Sequence, residues 1–175
     1  TAHIIKYYQK FINPSQFDLI TSFSFGRDVI EHAEGCWLTT RNGVKVLDFT
    51  GGMGVLNHGH NHPKIIQVRQ NFQRNKKMET HKNYLSPYLA GLSHNIAQIL
   101  PGDLDISYFP NSGAEAVEGA LKLAYKAHGG NRRYVMHSHI SYHGKLLGAG
   151  SITASKEIDF TFPEIPHTQA FVFND

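Results

Sequence analysis

The stretch Phe109-Pro110-Asn111-Ser112-Gly113-Ala114-Glu115-Ala116-Val117-Glu118 constrains the chain more than any other. It reads as a strand end, a tight turn and a helix start. Ser112 is a favoured N-cap residue, and Glu115 stands three positions later, so the two can close a reciprocal capping box. Gly113 lets the backbone come close to whatever lies above the helix mouth. The first N–H groups of a helix lack partners inside it, and the dipole makes that end electropositive, which suits a phosphate group. The stretch is therefore a candidate phosphate cradle; a capping box with no ligand is the simpler alternative.

The flanking sequence gives the turn a context. The helix runs on to about His128, where Gly129-Gly130 stops it. Ala114, Gly119, Ala120 and Ala124 are small, so the helix can approach a sheet closely, while Leu121 and Leu123 supply bulk. Asp105–Phe109 before it and Tyr134–His137 after it read as strands. Strand, helix and strand at this length make a βαβ unit, which implies a parallel sheet with a right-handed crossover. Ligands bind such sheets at the carboxyl ends of the strands, where both Ser112 and the loop Ser138–Lys145 fall. That loop brings Tyr142 and His143, and an aromatic ring there can stack on a planar ligand. A metal site at His137, His139 and His143 is one reading but is not favoured, since they match no recognised ligand spacing.

Upstream, residues 1–30 are rich in aromatics (Tyr7, Tyr8, Phe11, Phe17, Phe23, Phe25) but show no clean period, and Asn13-Pro14-Ser15 reads as a turn. Gly35–Thr40 reads as one strand of a small antiparallel sheet, Arg41-Asn42-Gly43 as a hairpin turn, and Val44–Phe49 alternates and returns. Residues 51–63 crowd glycines and then place His58, His60 and His62 at alternate positions. A zinc site is one reading. A structured loop is favoured over it, since no cysteine or carboxylate stands nearby in sequence. Pro63–Phe72 reads as an amphipathic helix with Ile65, Val68 and Phe72 on one face. Residues 78–85 are a polar connection. Ser86-Pro87 opens another helix, with Leu89, Leu92, Ile96 and Leu100 as a buried stripe and Pro101-Gly102 at its end.

Composition narrows the function classes. With 41% apolar and 18% charged residues among 175, the chain is globular rather than disordered. A net charge of +3 does not point to nucleic acid, and Arg74-Asn75-Lys76-Lys77 suits a helix C-terminus. Cys36 is the only cysteine, so no internal disulfide forms, and a reducing cytoplasm is the expected location. No apolar run approaches the ~20 residues that cross a bilayer, so no membrane association is expected.

Taken together, Asn111–Glu118 followed by Lys122-Leu123-Ala124, then Tyr142-His143-Gly144, and Gly59–Pro63 after a Leu47-Asp48-Phe49 strand resemble the class III aminotransferases that use pyridoxal 5'-phosphate. The resemblance extends from about Gly35 to Asn174-Asp175. It implies an α/β fold: a partial fold-type-I transferase. Residues 1–63 would form an N-terminal segment with a small antiparallel sheet, and 64–175 the incomplete cofactor-binding part of a large, mostly parallel-sheet domain.

By the same resemblance, Ser112, Gly113 and Ala114 hold the cofactor phosphate, Tyr142 stacks on the pyridine ring, and His143 sits beside it. Residues 51–57 border the substrate side. Donor and acceptor are an amine or amino acid and a 2-oxo acid, and the whole protein is a homodimer. Many members carry arginine directly after the His-Gly pair. Lys145 stands there instead, a point charge without a planar fork, which leaves an amine or diamine donor open. The lysine that forms the Schiff base and the aspartate that pairs with the pyridine nitrogen lie beyond the position matching Asp175, so no catalytic residue is expected within these 175. The rival class is a non-catalytic module that binds a phosphate ligand or a partner protein. On the family reading, residues 1–175 alone do not transaminate. Turnover of an amine donor by this chain with added pyridoxal phosphate would contradict that expectation.

Overall fold

The computed structural model describes residues 2–23, 26, 28–79, 83–154 and 163–174. Phe25 of the aromatic-rich segment, residues 80–82 of the polar connection and Asp175 lie outside them. The chain divides into two compact units, Thr1–Lys82 and Asn83–Asp175.

The first unit starts with helices that the sequence did not announce: α1 (Ala2–Tyr7), a π-helical stretch Tyr8–Ile12 and α2 (Pro14–Ser22). Asn13-Pro14-Ser15, expected as a turn, is the start of α2. The Asn13 side chain accepts from Ser15 N at 3.0 Å and Gln16 N at 3.4 Å, and Pro14 takes the first helical position. Asparagine followed by proline serves a helix start as well as a turn, because the proline's missing N–H would have been unpaired there anyway.

An antiparallel sheet follows, ordered β1 (Ile30–Glu34), β2 (Trp37–Thr40), β3 (Lys45–Leu47). The expected hairpin is β2–β3, in the register Trp37↔Leu47, Leu38↔Val46, Thr39↔Lys45. Its loop closes by Thr40 N donating to Val44 O and Gly43 N to Thr40 O, both at 2.9 Å, a three-residue connection. Strand β1 was not legible, and its pairing with β2 slips between Ile30 and His32. The exposed Arg41–Glu31 pair, 3.1 Å apart, contributes at most about 1 kcal/mol. The glycine-rich stretch forms one distorted turn, α3 (Gly51–Gly54), before α4 (Pro63–Arg74).

The second unit contains α5 (Pro87–Ala97), α6 (Gly113–Ala127), β4 (Val135–Ser138), α7 (Leu147–Ser151) and β5 (Thr168–Phe171). Strands β4 and β5 pair in parallel, Val135↔Thr168 through Ser138↔Phe171. The Ser86 side chain caps α5 by accepting from Leu89 N at 3.2 Å, as its N-cap position demands. Helix α6 ends at His128, before Gly129-Gly130.

Two expectations fail here. Asp105–Phe109 has no regular structure, because a strand exists only by pairing and none of the described residues pairs with it. Instead the Tyr108 ring lies against Gly119 of α6, 2.9 Å from where a Cβ would sit. The stripe of α5 is not buried: Leu89, Leu92 and Leu100 are all exposed, and only Ile96 is half-buried. On α4, Ile65 and Phe72 are half-buried while Val68 is exposed. An amphipathic stripe records which face needs a partner, not that the partner is present. The most buried element is the short α7, with Ala149 fully enclosed.

Candidate functional site

The mouth of α6 has the predicted cap with one difference. Ser112 is extended at φ −151°, and its Oγ accepts from Glu115 N at 3.2 Å. Glu115 reaches back, but its Oε2 accepts from Asn111 N at 2.7 Å rather than from Ser112 N. The carboxylate thus serves the residue before the cap. The amides of Ser112, Gly113 and Ala114 have no acceptor among the described residues. Three consecutive donors therefore stand unpaired at an electropositive helix end. A cleft of about 370 Å³ opens there, lined by Asn111, Ser112, Ala114, Glu115, Lys145 and Leu146.

The second loop docks beside this mouth. Gly144 is buried at φ +112°, and a Cβ built on it would lie 2.5 Å from the Ala114 Cβ. Loop and helix start are therefore in van der Waals contact through two residues with almost no side chain. Several hydrogen bonds stitch residues 141–144 to 152–154. Ala154 N donates to Ser141 O at 2.8 Å, and Ser141 Oγ donates to Ile152 O at 2.8 Å. Thr153 Oγ1 accepts from His143 N at 2.9 Å and faces two carbonyl acceptors, Gly144 O at 3.0 Å and Ala149 O at 2.9 Å.

The predicted residues are thus partly gathered. Ser112, Gly113 and Ala114 sit together at the mouth, and Gly144 brings the Tyr142–His143 loop to it. Tyr142 and His143 themselves are not among the residues lining the cleft; Tyr142 is 69% exposed and His143 half-buried. Lys145 does line it.

In the first unit the three histidines lie in a structured loop. His60 and Gly35 exchange backbone hydrogen bonds at 2.8 and 2.9 Å, and Asn61 Nδ2 donates to Ala33 O at 2.7 Å. Sequence reading missed the carboxylate that meets one of them, His60. Asp48 Oδ2 lies 2.9 Å from His60 Nε2, while Oδ1 accepts from Thr50 N, Thr50 Oγ1 and Gly51 N at 2.8, 2.7 and 3.1 Å. The visible signal was an aspartate two residues before a threonine, a frequent local turn. Among the described residues no three His, Cys, Asp or Glu side chains gather as a metal site.

These bonds, that from His60 foremost and then those from Thr50, hold the Asp48 carboxyl far below its ordinary value of 3.8. A depressed folded-state value contributes stability that is complete above the unfolded value and fades as pH falls below it. The first unit is therefore expected to lose stability between about pH 5 and pH 2 more steeply in the wild type than in Asp48→Asn. Urea midpoints across that range check this, and equal slopes would refute it.

The family profile Aminotransferase class-III matches residues 25–175, and the chain belongs to this family. Among solved structures, it is similar to a thermostable (S)-enantioselective omega-transaminase from Thermomicrobium roseum, at 24% identity and a TM-score of 0.82 over 98% of this chain and 40% of that one. An Arthrobacter phospholyase in complex with phosphoethanolamine matches at 26% identity and TM-score 0.71, over 85% and 33%. The Toxoplasma gondii ornithine aminotransferase, whose structure shows partial occupancy of PLP at its active site, matches at 23% and 0.71, over 85% and 36%. The chain thus spans well under half of these proteins' length. The fold is correspondingly a partial fold-type-I transferase, with its small antiparallel sheet and parallel strand pair.

Proposed function

We propose that the mouth of α6 holds the phosphate of pyridoxal 5'-phosphate, in a protein whose whole length moves an amino group from an amine or amino acid to a 2-oxo acid. The observation that carries this reading is the run of three amides, Ser112–Ala114, without an acceptor among the described residues, beside a cleft lined by Ser112, Ala114 and Lys145. The donor set fits the group. Backbone N–H groups and the Ser112 hydroxyl suit phosphate oxygens, and the Lys145 ammonium adds a point charge. The Glu115 carboxylate is occupied by Asn111 N, so its charge is partly spent within the protein. Family membership and the PLP in the Toxoplasma enzyme favour this ligand over a bare phosphate.

When bound, the cofactor supplies the electron sink for the chemistry. The chain's own residues anchor and orient it. Ser112 and the amides behind it fix the phosphate, and Gly113 leaves the approach open. Tyr142, exposed on the docked loop, offers the ring a face to stack on, and His143 stands next to it on the same loop. The Schiff-base lysine would come from sequence outside these residues. We place the protein in the cytoplasm as a homodimer. Among the described residues no helix is long and apolar enough to cross a membrane.

The test is a titration of residues 1–175 with pyridoxal 5'-phosphate and with pyridoxal, which lacks the phosphate. The phosphorylated form is expected to bind more tightly, and Ser112→Ala to weaken it about tenfold, the worth of one hydrogen bond to a charged group. Equal affinity for the two ligands would overturn the reading.

A further inference from the structure

Glu118 stands three residues beyond Glu115 on α6 and is half-buried. Its Oε1 accepts from Ala149 N at 2.8 Å. Its Oε2 would lie 2.7 Å from a Cβ built on Gly148, so the carboxylate packs directly against that glycine. The carboxylate therefore ties the first turn of α7 to α6 by one backbone hydrogen bond and direct packing. From α7 the chain leads to Thr153, whose hydroxyl holds His143 N and Gly144 O. Gly144 in turn packs on Ala114, back on α6. The contacts form a closed ring that begins and ends on one helix.

We propose that Glu118 is a positioning residue: by anchoring α7 it fixes the Tyr142–His143–Gly144 loop against the phosphate-binding end of α6. This rests on the cofactor reading above. A loop tied at both ends to one rigid helix has one resting place, and held geometry of that kind lets a flat ligand be oriented rather than merely captured. The capping bonds of α6 do not involve Glu118: Ser112 Oγ accepts from Glu115 N, and Glu115 Oε2 accepts from Asn111 N. Of the cleft residues only Lys145 and Leu146 lie on the anchored loop, so phosphate capture depends less on Glu118 than ring orientation does.

The experiment compares the wild type with Glu118→Ala, Glu118→Gln and Thr153→Val, all in residues 1–175. The probes are inorganic phosphate and pyridoxal 5'-phosphate, and the second readout is the visible circular dichroism of the bound cofactor. In Glu118→Ala the phosphate affinity is expected to stay within about twofold while pyridoxal 5'-phosphate weakens about tenfold and its dichroism falls by roughly half or more. Glu118→Gln, which keeps an acceptor for Ala149 N, should fall between, and Thr153→Val, which cuts the ring at its other joint, should reproduce the alanine variant. Parallel loss of both probes would show a merely structural role and overturn the proposal. So would unchanged cofactor affinity and dichroism, or an unfolded Glu118→Ala alongside an unaffected Thr153→Val. If the wild type binds neither probe, the cofactor reading itself falls and the positioning role with it; wild-type binding with unaltered variants refutes the positioning role alone.

Discussion

Gly144→Ala is expected to destabilise the second unit more than any other single methyl added to it. Two costs combine. At φ +112° an L-residue is strained by about 1–3 kcal/mol. The new Cβ would also lie 2.5 Å from the Ala114 Cβ and 3.1 Å from its Cα, an overpacking that costs about another 1–3 kcal/mol. A domain holds only about 5–15 kcal/mol in total, so a loss of this size shows plainly in a urea titration. The loop can relieve the clash only by leaving the helix mouth, so cofactor affinity should fall together with stability. Gly113→Ala is the control. It has ordinary φ and nothing within 4 Å of its Cβ position, so ligand-free stability should hold or rise slightly. Equal melting of wild type and Gly144→Ala would contradict the docking of the loop.

Gly59→Ala is the corresponding lesion in the first unit. Gly59 sits at φ +75°, and a Cβ there would meet Gly35 O at 2.9 Å and its carbonyl carbon and Cα at 3.0 Å. These are backbone atoms that cannot rotate away, unlike the tip of a side chain. The substitution should break the Gly35–His60 bridge and with it the approach of His60 to Asp48. A cost of about 2–4 kcal/mol follows from strain plus clash. The expected signature is a lower urea midpoint together with a reduced acid dependence, since the His60 bond that depresses Asp48 goes too. A variant less stable yet with the wild-type acid response would show that the bridge and the Asp48–His60 pair are independent.

What was legible in the sequence was local chemistry with a strong geometric signature. Ser112 with Glu115, Ser86 with Pro87, Asn42-Gly43 and Gly129-Gly130 each announce an element boundary through a backbone group that must be satisfied or a conformation only some residues adopt. These placed α5, α6 and the β2–β3 hairpin. The predicted cap missed by one residue, because a glutamate side chain reaches the amide of Asn111 as readily as that of Ser112. Contacts between residues distant in sequence were not legible. Asp48 and His60 are twelve positions apart, and nothing in either neighbourhood names the other. Glu118 looked like an ordinary polar position of α6, and Leu147-Gly148-Ala149-Gly150-Ser151 lacks the composition of a helix. Its tight burial and the anchoring carboxylate hold it in that form, which is a tertiary effect overriding weak propensity. The strand expected at Asp105–Phe109 failed for a related reason: a segment's own residues show that it can pair, not that a partner is there.

The central claim is that the first amides of α6 take the cofactor phosphate. The most direct measurement is the amide ¹H–¹⁵N spectrum of residues 1–175 during titration with pyridoxal 5'-phosphate, with pyridoxal as the comparison. The resonances of Ser112, Gly113 and Ala114 are expected to move with the phosphorylated ligand and to stay in place with pyridoxal. Shifts at those three amides that are equal for both ligands, or movement confined to other parts of the chain, would contradict it.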